Sequence, residues 1–572
     1  MLSLPNAFPD TPKRTFMKSV NHFPVRPLLL ALVPALCAVV APVHAQRPPD
    51  AGQILQQLNP RLASPTQPGQ VITLPAALPD SALPGGAKVT VSTLRFEGNT
   101  VLTSQTLLAG LGEFSGQSYD LAGLKALANR VADVYRTAGY PFAKAYLPEQ
   151  KLGGGELLIT IVEGRYGQVD GGQAQAWLAD LKPGAVIEST LLERTTLILD
   201  DQPGIQTAPL MRPGQAPGTG DLVVNAVRTP RLGGDVSLDN HGSRYIGQYR
   251  ATTSLRYDSP FRWGDQITAR LLASDDNLWL GSLGYSAPLG ASGMRAQVGY
   301  SHTAYELGKD LSASNAKGTA KASSLGLSYP ILRSQQVNLN LSGVFQHKAL
   351  NDKNGLAASN DDKNSESLAL SLGFDRRDNL GGGGITYGAL AFSRGHLRLS
   401  SALATTDSES AQNTRGGFDK WNLDLARIQA TRVSSVSLFG RLSAQRAGKN
   451  LDSSESYSLG GAQGVRAYSQ GEGSGDEGYL VQLEARYQMG SLTPYVFHDA
   501  GRVTINANNA LLTTPSNANS RSLAGSGLGV RYSAGRLSVD AALAWRTKGG
   551  RPADRNERDA KPRAWVVSRY DF

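Results

Sequence analysis

From residue 231 to the C-terminus, apolar and polar positions alternate with a period of two. In "YLVQLEARYQ" one face carries Tyr479, Val481, Leu483, Ala485 and Tyr487, and the other carries Gln482, Glu484, Arg486 and Gln488. That is the signature of a strand with two unlike faces. Segments of roughly ten residues repeat it. Tight turns join them on one side, as at Pro288 with Gly290 or Met489 with Gly490. On the other side the sequence predicts long polar loops at "ELGKDLSASNAKGTAKA", "ALNDKNGLAASNDDKNSES", "SSALATTDSESAQNTRGG" and "NANNALLTTPSNANSR". A soluble sandwich would alternate too, but with shorter strands and water on its polar face. The repetition favours a transmembrane β-barrel, and at ~9–11 residues per spanning strand the 342 residues (572 minus 230) hold about 16 antiparallel strands. "AWVVSRYDF" carries the alternation to Phe572, with Tyr570 two residues earlier. Aromatics so placed belong at the membrane boundary and on the lipid face.

Upstream the texture changes to mixed α/β. "VTVSTLRFEGN" reads as a strand ending at the turn residues Gly98 and Asn99. "DLAGLKALANRVADVYRTAGY" starts at an Asp120 N-cap, spaces Leu121, Leu124, Leu127, Ala128, Val131 and Val134 at helical intervals, and stops at Gly139 before Pro141. "AKAYLPEQ" and "GELLITIVEGRYGQVDG" read as a closing strand pair, completing a small docking domain over 89–164. A degraded second copy follows over 165–230, with a helix in "ESTLLERTTLILDDQPGIQ" and strands in "TAPLMRPG" and "GDLVVNAV". Together the two copies leave no room for a third. Before them, "PPDAGQILQQLNPRL" predicts a short helix within 46–58, and 59–88 has the proline- and alanine-rich composition of a linker.

The N-terminus sets the compartment. Lys13, Arg14, Lys18 and Arg26 precede the apolar "PLLLALVPALCAVVAP", and "VHA" ending at Ala45 offers a cleavage site, so residues 1–45 read as a secretory signal peptide. A start at Met17 would give the same signal. The single cysteine, Cys37, lies inside it, so the exported protein has no thiol, disulfide or Cys-ligated metal. After the signal no apolar run reaches about 18 residues, which excludes a helical membrane protein. The net charge of +10 is dispersed along the chain and gives no argument for nucleic acid.

Several motifs stand in an order that resembles a known family. They are the helix "DAGQILQQ", the linker, the two modules, the strand "SLDNHGSRYIGQYR" at the barrel start, "FDRRDN", and the pair "VRAY" and "FHDAG". This order resembles the TpsB transporters of two-partner secretion (the ShlB, FhaC and HecB type), which pair periplasmic POTRA domains with a 16-stranded barrel. The family pattern V-R-G-Y is represented by Val465, Arg466, Ala467 and Tyr468; Ala467 departs from the usual glycine and removes easy access to positive φ. F-x-D-x-G is intact as Phe497, Asp499 and Gly501. The resemblance implies that Arg466, on a loop folded into the lumen, meets Asp499. It also implies that residues 50–58 plug the lumen and that Tyr570 and Phe572 serve as the C-terminal signal for barrel assembly.

No catalytic constellation competes with this reading. His241, His302, His347, His396 and His498 are scattered without metal-ligand spacing. In "FDRRDN", Arg376 and Arg377 separate Asp375 from Asp378, as in a lumen charge ladder, and "GGGG" at 381–384 is a turn rather than a phosphate cradle. The expectation is therefore a pore without enzyme activity, cofactor or metal. It would sit in the outer membrane of a Gram-negative bacterium, with its N-terminal domains in the periplasm. Its partners would be a secreted exoprotein, outer-membrane lipid and the barrel-assembly machinery, and no nucleic acid. An assembly insertase, which usually carries more modules, and a passive porin, which carries none, are the alternatives.

Overall fold

A computed structural model describes residues 49–58, 82–151, 154–553 and 559–572. The expected signal peptide and residues 59–81 of the expected linker lie outside the described residues. A short helix, Ala51–Leu58 (α1), comes first. Two α/β units follow. In the first, Val89–Val91 (β1) pairs antiparallel with Gln117–Tyr119 (β3), while Thr93–Glu97 (β2) runs parallel to Glu156–Val162 (β5), whose other edge takes Lys144–Tyr146 (β4). "VTVSTLRFEGN" is thus two strands in two sheets, broken where the Ser92 N–H turns to the Gly155 carbonyl. Helices Ser104–Leu111 (α2) and Leu121–Thr137 (α3) accompany these strands. The Asp120 side chain caps α3 by accepting from the Gly123 N–H at 2.8 Å, and Leu124, Leu127, Val131 and Tyr135 pack on Leu157, Ile159 and Ile161.

"GELLITIVEGRYGQVDG" does not close one sheet; Gly164, at φ 77°, divides it between two. Beyond it, Arg165–Asp170 (β6) forms a second sheet with Ile205–Pro213 (β7) and Thr219–Arg228 (β8), β8 central, together with the helix Ser189–Asp200 (α4). Glu163 sits buried at the joint. Burial pushes its pKa up, but hydrogen bonds from Thr100, Val101 and Tyr135 outweigh that and hold the carboxyl below its usual range.

Among the described residues, sixteen antiparallel strands close into a barrel, as the alternation predicted. They begin with Leu232–Asp239 (β9), Arg250–Asp258 (β10), Gln266–Ser274 (β11), Leu278–Pro288 (β12), Arg295–Glu306 (β13), Ala316–Arg333 (β14), Val337–Asn354 (β15) and Ser359–Asp378 (β16). Gly384–Leu399 (β17), Gly416–Ala430 (β18) and Val436–Ala447 (β19) continue the wall. A loop holding the short pair Tyr457–Ser458 (β20) and Ser474–Gly475 (β21) interrupts it. Glu477–Tyr487 (β22), Leu492–Thr504 (β23), Ser520–Ala534 (β24), Leu537–Lys548 (β25) and Arg563–Asp571 (β26) complete it. On β22 the faces fall as expected: Tyr479, Leu483 and Tyr487 are exposed outward, while Gln482 and Glu484 are buried inside.

Two sequence expectations fail for a shared reason. "ALNDKNGLAASNDDKNSES" is not a loop, because β15 and β16 stay in register through it, from Val337 opposite Arg376 to Asn354 opposite Ser359. Eighteen residues at ~3.3 Å each reach about 60 Å, twice the ~30 Å hydrocarbon thickness, so the outward face of the outer half of this hairpin meets water instead of lipid, while its inward face sets Lys348, Leu350 and Lys363 against the inserted loop and α1. Polar strands of that kind look like loops in sequence. The second half of "ELGKDLSASNAKGTAKA" is likewise strand, from Ala316 onward. "SLDNHGSRYIGQYR", expected as one strand, ends β9, turns and begins β10.

The second α/β unit is pinned to one end of the barrel. Arg333 donates twice to Asp201, at 2.7 and 2.8 Å, and Arg194 donates to the Pro330 carbonyl at 2.9 Å. At the closing seam β26 meets β9 over only five residues, from Val567 opposite Asp239 to Asp571 opposite Asp235.

Candidate functional site

The loop between β19 and β22 folds back into the barrel. A turn seats its tip: Val465 N–H donates to the Leu459 carbonyl at 2.8 Å and Tyr468 N–H to the Val465 carbonyl at 3.0 Å. The stretch is glycine-rich because backbone must pass close to backbone; a side chain on Gly464 would strike the Leu459 carbonyl. Arg466 points from this turn to the wall. Its Nε donates to Asp499 Oδ2 and its second terminal nitrogen to Asp499 Oδ1, both at 2.8 Å. The Arg466 backbone N–H adds a third bond to Asp499 at 3.1 Å, and the other terminal nitrogen reaches Glu484 Oε1 at 2.8 Å.

Strand parity explains how the wall receives it. On β23, Phe497, Asp499 and Gly501 share the inward face, and β22 sets Gln482 opposite Asp499 and Glu484 opposite Phe497. The Phe497 ring lies under the guanidinium, 3.5 Å from its carbon, where the aromatic face attracts a cation. Gly501 leaves room for Leu459 of the loop, whose Cδ1 a Cβ at that position would overlap. Tyr468 is fully buried, its single hydroxyl hydrogen shared between the Lys548 and Gly550 carbonyls at 2.7 and 3.0 Å. Ala467 is buried against Gly525 and is not among the positive-φ residues, so alanine meets no backbone strain at the place of the usual glycine.

Three acids and three arginines share this pocket. Besides Arg466, Glu484 accepts from Arg486 at 2.8 Å and Arg531 at 3.1 Å, and Arg531 also pairs with Asp540 at 2.9 Å. With Asp499, the charges balance. Buried ions are tolerable only in such a matched, hydrogen-bonded set. Sequence reading placed Glu484 on the inward face but did not pair it with Arg466. The parity of "YLVQLEARYQ" carried that signal. Tyr570 and Phe572 are half-exposed at the end of the chain, and the Phe572 N–H donates to the Gly234 carbonyl at 2.9 Å.

Comparison with known proteins decides the kinship. The model of the haemolysin secretion/activation protein family ShlB/FhaC/HecB matches residues 218–532, more than half of the chain. The chain belongs to this family. A ShlB-type POTRA domain model matches residues 89–164. The heme/hemopexin transporter protein HuxB of Haemophilus influenzae is 26% identical over 485 residues, covering 82% of this chain and 84% of HuxB. The outer membrane transporter CdiB of Dickeya dadantii is 26% identical over 509 residues, covering 86% and 87%. In fold, CdiB from Escherichia coli matches with a TM-score of 0.70 at 20% identity, over 86% of this chain and 92% of that one. The chain is an outer-membrane β-barrel transporter of two-partner secretion, which exports a partner exoprotein.

A second element occupies the lumen of this ShlB-type barrel. Helix α1 buries Ala51, Ile54, Leu55 and Leu58 against wall residues that include Leu272, Leu280, Tyr305 and Leu350. Its N-terminal end is held by charge: Asp352 accepts the Ala51 N–H at 2.9 Å, and Lys363 bridges Asp50, at 3.1 Å, to Asp452 of the loop, at 2.8 Å. Gln56 donates to the Ser454 carbonyl, and at the C-terminal end Arg270 points a terminal nitrogen at the Leu58 carbonyl, 3.5 Å away. The apolar stripe of α1 was legible in the sequence. Its ionic partners, some 300 or 400 residues away, were not.

Proposed function

We infer that Arg466 is the lock that holds the loop from about 451 to 478 in its export-competent position, and that α1 is the plug that leaves when a partner passes. What carries the reading is the double capture of Arg466 by Asp499 and Glu484 above the Phe497 ring, inside the wall. Loss of one partner strands a buried charge at about 3–5 kcal/mol. The domain plan that goes with it is a signal peptide at 1–45, the plug, a linker at 59–88, two POTRA-type domains at 89–164 and 165–230, and the barrel. The POTRA-type domains face the periplasm and receive the unfolded partner by strand addition to an open sheet edge. Tyr570 and Phe572 present the terminus to the barrel-assembly machinery. The barrel works without a cofactor or catalytic step, the partner folding at the surface. The class of the partner, whether adhesin, haemolysin or contact-dependent toxin, is not set by this chain, and a large secreted β-helical protein encoded beside it would identify it. The test is secretion of such a partner in a deletion strain complemented with Arg466→Ala. Export lost at normal outer-membrane abundance is the expected result, and normal export would return "GVRAY" to an ordinary loop.

A further inference from the structure

Trp279, Trp421 and Trp545 stand half-exposed on the outside of the barrel, as lipid-facing aromatics do. Trp565 does the opposite. It lies on β26 with 5% of its surface exposed, and its indole N–H donates to the Arg466 carbonyl at 2.6 Å. That carbonyl sits in a tight turn of a buried loop, outside any strand ladder, and buried carbonyls need donors. The same ring meets His241, just past the end of β9, edge to face with centroids 5.6 Å apart.

The location adds weight to this bond. Five residues in register make the β26–β9 seam the shortest pairing in the wall; β9 with β10, and β25 with β26, each align eight. Beyond these five, Gly234 and Phe572 exchange backbone hydrogen bonds at 3.0 and 2.9 Å at one end, and at the other the Asn240 N–H donates to the Val566 carbonyl at 3.2 Å while its side chain accepts from Val566 N–H at 2.8 Å and donates to the Ala564 carbonyl at 3.1 Å. Trp565 lies between Ala564 and Val566 in sequence, on the inward face. So the shortest pairing of the barrel and the peptide of the lock arginine meet at one indole.

We propose that Trp565 is a positioning residue for export: its indole N–H ties the arginine-bearing loop to the strand that closes the barrel, so that seating of the loop and closure of the seam are one equilibrium. The coupling is reciprocal: the seated loop favours the closed seam by the same free energy as the closed seam favours the seated loop. It rests on the reading of Arg466 as the loop lock.

The test compares Trp565→Phe, Trp565→His, Arg466→Ala and the double variant Trp565→Phe/Arg466→Ala in the full-length transporter, with Trp421→Phe on the lipid face as control. The readouts are outer-membrane abundance, partner secretion and the temperature at which the folded form is lost in SDS. Trp565→Phe keeps the ring and loses the donor, so export should fall about tenfold, the scale of one buried hydrogen bond. The transition temperature should fall with it. Trp565→His retains a ring N–H and should recover part of both. Arg466→Ala should lower the same temperature, and the double variant should fall no further than the worse single variant. Full export by Trp565→Phe, or additive losses in the double variant, would overturn the proposal. Normal export by Trp565→Phe beside a defective Arg466→Ala would sink this proposal alone, and normal export by Arg466→Ala would sink both. Should Trp565→Phe fail to assemble, Asn240→Ala loosens the seam with Trp565 in place. It should then raise maleimide labelling of a Ser469→Cys probe in the loop, and unchanged labelling would overturn the coupling.

Discussion

Two guests occupy the barrel, and they are held by different physics. The loop tip is fixed by matched ions: Arg466 and Asp499 are nearly fully buried, in a set where each charge has a partner. Helix α1 is held mostly by an apolar stripe. Burying Ile54, Leu55 and Leu58 stabilises it by roughly 5–9 kcal/mol. Ordering its eight residues costs on the order of 8 kcal/mol or more. The two nearly cancel, so the polar contacts at its ends decide whether the helix stays. A guest held by buried charge cannot leave without stranding that charge, whereas one held near balance can leave when a partner competes for the lumen. On the proposed reading, the difference makes the loop a fixture and the helix a plug.

The largest effect should come from Arg466→Ala, which strands Asp499 at about 3–5 kcal/mol and should reduce partner secretion sharply while the barrel still assembles. Asp499→Ala should share the defect, the pair being less than additive. Glu484→Gln should do less, because Asp499 still holds two sides of the guanidinium. Its loss is expected to lie between wild type and Arg466→Ala in the same secretion assay. For the helix the readout changes to conductance in planar bilayers. Deleting residues 50–58 should raise conductance with the barrel intact, and an unchanged conductance would place the helix's role elsewhere. Lys363→Ala, which removes the cation between Asp50 and Asp452, should raise the frequency of open events short of the deletion. Arg270→Ala should have the smallest effect, about 0.3–1 kcal/mol for a cation at a helix C-terminus, seen as a slight rise in opening.

The sequence made some of this legible and hid the rest for definable reasons. Alternation exposed the barrel, its strand number and the inward placement of Glu484, because a strand's faces follow parity alone. Parity does not say which inward residues meet. Arg466 and Asp499 could be paired ahead of the structure only through the family resemblance. Glu484 needed the β22–β23 register, and Trp565 lies 99 residues from the carbonyl it serves. The β15–β16 hairpin was misread because its outer half meets water outside and ionic partners inside, at Lys348 and Lys363, which removes the apolar half of the signal. Lys363 carried no signal at all, since its partners Asp50 and Asp452 come from two separate segments that only the closed barrel brings together.

The division into fixture and plug is tested most directly by tethering the helix. A cysteine pair replacing Asp50 and Ser453, whose side chains hydrogen-bond at 2.6 Å between the start of the helix and the loop, would lock α1 in the lumen by a disulfide between the only thiols expected in the exported chain. Under oxidising conditions export of the partner should stop and conductance should stay low, and a reductant should restore both. Undiminished export with the disulfide formed would contradict the plug and the comparison built on it.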